Sequence, residues 1–311
     1  MSVSIQPINL NEAKSNDLKT FLDSFDHVFS DCDGVLWSRT PLPGSGDFVR
    51  IMKQLGKTVH FVSNNSINSK ENYESLFRAT NIEDGISNLT TPSIAIAEYL
   101  KSVNFDKQVY CVTCPETIKV LESHGFRCKD GPDNGADYYG DYVKYLEDNL
   151  DIGAVVFDSD FKVNMPKMYK AITYLRRPEV LFVSGATDRY VPLKRDSLTL
   201  GTGVFTDIVA EEVSRQPIVL GKPGRMFGEF AMRRAGISDA SRVLFIGDMI
   251  EQDVGLGKAT GFKTLLLLTS ATREAMMSHK TLTPDYYADS LGSLVPIISG
   301  LQNGLKQTLK L

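Results

Sequence analysis

Without any internal repeat, the chain alternates short β-rich runs that end on polar residues with stretches of helical spacing, several of them stopped by glycine. Residues 26–30 run into Asp31-Cys32-Asp33-Gly34, and residues 58–62 into Ser63-Asn64-Asn65-Ser66. Residues 218–220 run into Gly221-Lys222-Pro223, residues 243–246 into Gly247-Asp248, and residues 263–268 form a fifth run. Helical spacing over residues 48–55 stops at Gly56, that over 227–235 stops at Gly236, and a further helix ends near Gly261. This alternation predicts an α/β fold with a mainly parallel sheet, because parallel strands need a long crossover and a helix supplies it. Four of the runs deliver Asp31, Ser63, Lys222 and Asp248 at their C-terminal ends. In open α/β sheets that edge is where ligands bind.

The interval between Ser63 and Lys222 is longer than one crossover requires, and it carries strand and helix signals of its own at residues 154–157, 168–175 and 180–183. It reads as an inserted α/β domain that leaves the core near Val103 and returns near Pro217. The expected division is core over 1–104, insert over 105–216 and core again over 217–311. A length of 311 residues accommodates two such domains.

Composition narrows the partners. With a net charge of −4, the chain offers no basic field for nucleic acid or an anionic membrane surface. Its first twenty residues lack the apolar core of a signal peptide, and the purest aliphatic run, residues 265–268, is far too short to span a bilayer. A cytoplasmic protein is the expectation. Cys111, Cys114, His124 and Cys128 supply four possible zinc ligands in a short span. A helix over residues 116–123 would hold the last two more than about 10 Å from Cys114, so the three cysteines read as buried or incidental thiols. None of the four histidines matches a motif.

Asp31 and Asp33 stand two apart just past a strand, and Gly34 permits a sharp turn. That spacing lets one carboxylate face an electrophile while the other reaches the leaving group. Read singly, each residue has a plainer explanation: Asp-x-Asp as a turn or helix cap, Ser63 as an N-cap, Lys222 as a surface lysine, Asp253 as a solvated helix residue.

The full strings are more specific. Asp31-Cys32-Asp33-Gly34-Val35-Leu36-Trp37 resembles the first motif of the haloacid dehalogenase superfamily. Phe61-Val62-Ser63-Asn64-Asn65-Ser66 resembles the second motif of its 4-nitrophenylphosphatase-like branch, which includes phosphoglycolate and pyridoxal phosphate phosphatases. Gly221-Lys222-Pro223 is similar to the third motif, and Gly247-Asp248 through Asp253 to the fourth. The resemblance runs in order from about Phe25 to Leu268. It implies a Rossmann-like three-layer core with a large inserted α/β cap, and a phosphatase that hydrolyses small phosphate monoesters through an aspartyl phosphate on Asp31.

By the same resemblance Asp33 is the general acid/base, and Mg²⁺ is held by Asp31, Asp248 and the Asp33 backbone carbonyl. Four carboxylates offset by one lysine fit that cation, since a hard divalent ion prefers oxygen ligands. Ser63, Asn64, Gly34 and Lys222 would bind phosphate. Asp253 would hold a metal-bound water or position Lys222. Relatives of this kind often form homodimers through the cap.

The match weakens in the insert. Asp158 keeps its place, but Asp160 stands where relatives often have His, and Tyr190, two residues after Asp188, where many have Asp. Met249 and Gln252 replace a frequent Arg and Thr in the fourth motif. Asp158, Asp160, Asp188 and Tyr190 are the expected substrate-contacting positions, and their divergence leaves the substrate open. A catalytically impaired phosphate-binding or scaffold protein, or a phosphotransferase, would share the fold; the intact Asp31, Asp33, Ser63, Lys222 and Asp248 favour the hydrolase.

Overall fold

The computed structural model describes residues 6–135, 137–194 and 197–308, and the chain divides into two compact units. The first is drawn from residues 6–63, 70–90 and 228–308, the second from residues 64–69 and 91–227. Helix Pro92–Ser102 and strand Ile218–Val219 thus lie in the second unit, whereas the expected boundaries gave both to the core.

The first unit is built on a seven-stranded sheet in the order Ile8–Asn9, Tyr286–Ala288, Lys263–Leu267, Val243–Gly247, His27–Ser30, Thr58–Val62, Leu89–Thr90. Every pairing is parallel. Val243–Gly247 is buried along its whole length, the pattern of a strand covered on both faces. Strand His27–Ser30 sits between Val243–Gly247 and Thr58–Val62, so the strand order reverses around it. A crevice at such a reversal, beyond the strand C-termini, is the usual ligand site.

Helix Ser45–Gln54 shows how the sequence makes the covering layer. Phe48, Val49, Ile51 and Met52 fall on one face and are buried. Gly56, at φ +77°, ends the helix: its N–H donates to Lys53 O at 3.0 Å and that of Lys57 to Met52 O at 3.0 Å, a Schellman stop. The core beneath gathers Phe21, Phe25, Trp37, Phe61, Phe77 and Leu244.

The second unit has a five-stranded parallel sheet in the order Ile218–Val219, Leu181–Ser184, Ile152–Phe157, Gln108–Val112, Arg127–Lys129, and an antiparallel pair, Tyr190–Lys194 with Ser197–Leu200. The run at residues 218–220, expected in the core sheet, is instead an edge strand here. Ile218 pairs with Val183 and Val219 with Ser184, and Leu220 N–H donates to Ser184 O at 2.7 Å. Gly221 explains the close approach: a Cβ there would lie 2.5 Å from the Gly185 carbonyl oxygen. Among the described residues no helix is long and apolar enough to cross a membrane.

One polar knot is buried in the second unit. Lys167 Nζ donates to Asp160 Oδ2 at 2.9 Å, with the two side chains 1% and 5% exposed. Asn164 caps helix Met165–Leu175 by accepting from Lys167 N–H at 3.0 Å, and its amide donates to Pro132 O at 2.8 Å. Lys167 Nζ also lies 3.6 Å from Oδ1 of Asp133, which is itself half-exposed. Removing Asp160 leaves the buried ammonium with that one longer, wetter partner, so Asp160→Ala is expected to cost about 1–3 kcal/mol, and a joint Asp160→Leu, Lys167→Met change to recover much of it. Urea unfolding of the three proteins checks this; a single change costing less than about 0.5 kcal/mol would contradict the loss of a buried partner.

Candidate active site

Asp31 follows strand His27–Ser30 directly and is tied to the neighbouring strand by its N–H, which donates to Ile246 O at 2.8 Å. Cys32 N–H donates to Asp31 Oδ1 at 2.7 Å, which fixes the carboxylate, while the Cys32 side chain is buried in the apolar core. The chain then folds back. Leu36 N–H donates to Cys32 O at 2.8 Å and Gly34 N–H to Trp37 O at 2.7 Å. Gly34 has φ +77°, and a Cβ there would sit 1.9 Å from Asp248 Oδ2. Glycine is required twice over, by conformation and by space. Within this loop Asp33 Oδ1 accepts from the Trp37 indole N–H at 3.2 Å.

Asp248 follows strand Val243–Gly247, and a π-helical turn, Ile250–Val254, brings Asp253 back to it. Asp253 Oδ2 accepts from the N–H groups of Asp248 and Met249, both at 2.9 Å. Such wide turns recur at functional sites, and here one returns a carboxylate five residues on. Ser270 Oγ donates to Asp248 Oδ2, and Thr269 Oγ1 to Gly34 O at 2.7 Å.

Asp31, Asp248 and Asp253 thereby converge: one carboxylate oxygen from each lies within 4.8 Å of the others. They are 6%, 3% and 1% exposed. At that spacing two like charges repel by about 3–4 kcal/mol at an effective dielectric near 20. Ser63 ends strand Thr58–Val62 in the same unit, with its N–H on Thr90 O at 3.1 Å and its Oγ accepting from the Tyr73 hydroxyl at 3.3 Å. Burial pushes the Tyr73 phenol well above its ordinary range, so it stays a donor.

The remaining expected residues belong to the second unit. Lys222 is buried, not a surface lysine. Its backbone is gripped by the Asn64 amide: Lys222 N–H donates to Asn64 Oδ1 at 2.7 Å, and Asn64 Nδ2 donates to Lys222 O at 3.2 Å and to Asp188 Oδ2 at 3.0 Å. Asp158 is buried, accepting from Thr117 Oγ1 at 3.2 Å and Ala186 N–H at 3.4 Å, and burial raises its carboxyl pKa. The charge of Asp160 is met by Lys167, as described above. Tyr190 is 55% exposed, at the start of the antiparallel pair.

Thr269 and Ser270 are not among the expected site residues, though they follow the fifth β-run at a strand end, as Asp31 and Asp248 do. Tyr73 carries no motif signal. Like charges confined together destabilise a fold unless a cation joins them. In chelator, Asp31→Asn is therefore expected to stabilise the protein by about 1 kcal/mol. Thermal unfolding in EDTA checks this, and an unchanged or lowered midpoint would contradict the repulsion.

The haloacid dehalogenase-like hydrolase profile matches residues 28–127, and a HAD-hydrolase-like profile matches residues 219–294. The chain is 30% identical over 298 residues to phosphoglycolate phosphatase 2 of Arabidopsis thaliana, covering 91% of this chain and 97% of the relative. It is 30% identical over 287 residues to the 4-nitrophenylphosphatase of Schizosaccharomyces pombe, covering 89% and 96%. Among solved structures, a p-nitrophenyl phosphatase from Archaeoglobus fulgidus superposes with a TM-score of 0.74 at 28% identity, covering 88% of this chain and 99% of that one. The α/β architecture is the Rossmann-like one of that structure. Motifs, fold and near-full-length relatives agree, and the chain belongs to the haloacid dehalogenase-like hydrolases.

Proposed function

We propose that this protein is a Mg²⁺-dependent phosphoric monoester hydrolase that works through an aspartyl phosphate on Asp31. The observation that carries the reading is the convergence of Asp31, Asp248 and Asp253, three buried carboxylates without the space between them that mutual repulsion would demand. The all-oxygen donor set and the need for compensating charge fit a hard divalent cation. Asp31, Asp248 and the Asp33 backbone carbonyl would hold it, with Asp253 bracing the Asp248 turn from behind. When bound, Mg²⁺ neutralises the phosphoryl oxygens that otherwise repel an anionic nucleophile.

The chain's own groups supply the rest. An Asp31 carboxylate oxygen attacks phosphorus, and the bond from phosphorus to the ester oxygen breaks. Asp33, protonated, gives its proton to that leaving oxygen and is left as carboxylate. It then takes a proton from water, whose oxygen attacks the phosphorus; the bond to Asp31 breaks, inorganic phosphate leaves, and both aspartates return to their starting states. Ser63, with its Oγ oriented by Tyr73, is the proposed phosphate donor; the N–H of Gly34, expected to join it, is bonded to Trp37 O within the loop. The motif order adds Lys222 as the cation for the phosphoryl group. Asn64, expected to bind phosphate itself, contributes through its grip on the Lys222 backbone.

The substrate is a small phosphate ester, as the names of the relatives suggest. Tyr190, more than half exposed, and Asp188 are the proposed specificity positions; Asp160 is paired internally and is not among them. A homodimer through the second unit, which also exposes Tyr138, Tyr139 and Leu150, belongs to the same reading.

Turnover of 4-nitrophenyl phosphate tests the proposal. EDTA should abolish it, Mg²⁺ restore it, and Ca²⁺ restore it poorly, because Ca²⁺ takes more ligands at longer distances. Asp31→Asn should lower kcat by about a thousandfold or more with the fold intact, the order of effect of losing a covalent nucleophile. Full activity in chelator, or retained turnover in the variant, would refute the mechanism.

A further inference from the structure

Trp37 is the chain's single tryptophan, and it is fully buried. An indole has one donor and no acceptor, so its N–H can satisfy only one strong partner. That partner is Asp33 Oδ1, at 3.2 Å. The ring is held in place around this contact. Phe77 meets it edge-on, with centroids 5.0 Å apart and planes at 86°, and Tyr73 lies 6.4 Å away. The backbone reinforces it: Trp37 N–H donates to Cys32 O at 3.3 Å, and Trp37 O accepts from Gly34 N–H at 2.7 Å. The residue that closes the loop therefore grips the carboxylate near the loop's start. Tyr73, from the same aromatic cluster, donates to Ser63.

We propose that Trp37 is a positioning residue for Asp33, its indole N–H holding one carboxylate oxygen so that the other is presented to the leaving-group oxygen. The inference rests on the acid/base reading of Asp33. An unrestrained aspartate turns about two bonds and spends much of its time misaligned, whereas effective proton transfer needs a fixed donor–acceptor geometry. A tryptophan placed for packing alone needs no particular target for its N–H beyond backbone or water. Here it is directed at the second motif aspartate by a cluster of rings that fixes its angle.

Trp37→Phe deletes the donor and keeps an aromatic ring. The variant, the unaltered protein and Asp33→Asn are to be compared by kcat/KM, which reports the phosphorylation step, over phosphate esters from 4-nitrophenyl to simple alkyl. Proton donation matters most for poor leaving groups. Trp37→Phe should therefore lose about tenfold or more on alkyl esters but only about threefold or less on 4-nitrophenyl phosphate. A steep loss for Asp33→Asn with an even loss for Trp37→Phe overturns the positioning role and leaves the acid/base reading standing. A flat profile for Asp33→Asn overturns both. Should the phenylalanine variant not fold, NMR of the ¹⁵N-labelled protein decides: its single indole signal should be displaced downfield, exchange slowly, and move upfield in Asp33→Ala. An indole signal unmoved by Asp33→Ala overturns the proposal.

Discussion

Repulsion among Asp31, Asp248 and Asp253 is the constraint around which the first unit is arranged. Three carboxylates with oxygens inside 4.8 Å, all nearly buried, spread apart unless each is restrained. The restraints are backbone donors and hydroxyls. Cys32 N–H holds Asp31, Ser270 Oγ holds Asp248, and the backbone N–H groups of Asp248 and Met249 hold Asp253. Gly34 leaves the gap beside Asp248 that any larger residue would fill. The all-oxygen donor set gathered there is the one a hard divalent cation prefers.

The topology makes that assembly feasible. Strand His27–Ser30 lies between Val243–Gly247 and Thr58–Val62, so three parallel strands deliver Asp31, Asp248 and Ser63 to one edge. Behind the edge, Trp37, Tyr73 and Phe77 form an apolar backing whose two polar atoms point at Asp33 and Ser63. Packing and chemistry share the same side chains: the rings that fill the core also orient the groups in front of it.

The strand ends are legible in the sequence because a buried parallel strand is a continuous apolar run, and a polar residue after it breaks the pattern sharply. Asp31, Ser63 and Asp248 stand out that way, and the glycine stops at Gly56 and Gly236 form the expected helix ends. Residues 218–220 mislead because two half-buried strand residues carry no information about which sheet accepts them; the pairing with residues 183–184 and the close approach of Gly221 to Gly185 are long-range contacts with no local signal. Asp160 reads as a charge offered to substrate because its partner, Lys167, lies seven residues on and its burial leaves no local trace. The pair Tyr190–Lys194 and Ser197–Leu200 escapes notice because Pro192 within the run argues against a strand, an objection that an edge position removes.

The central claim is that phosphate passes through a covalent bond to Asp31. Asp33→Asn, which should slow release of the intermediate more than its formation from an activated ester, is the protein in which to look. After mixing with 4-nitrophenyl phosphate and rapid acid quench, peptide mass spectrometry should find one base-labile phosphoryl group on the peptide containing Asp31. It should be absent when Asp31→Asn is added. A burst of 4-nitrophenolate with no phosphoryl group on Asp31, or with the group on another residue, would contradict the account.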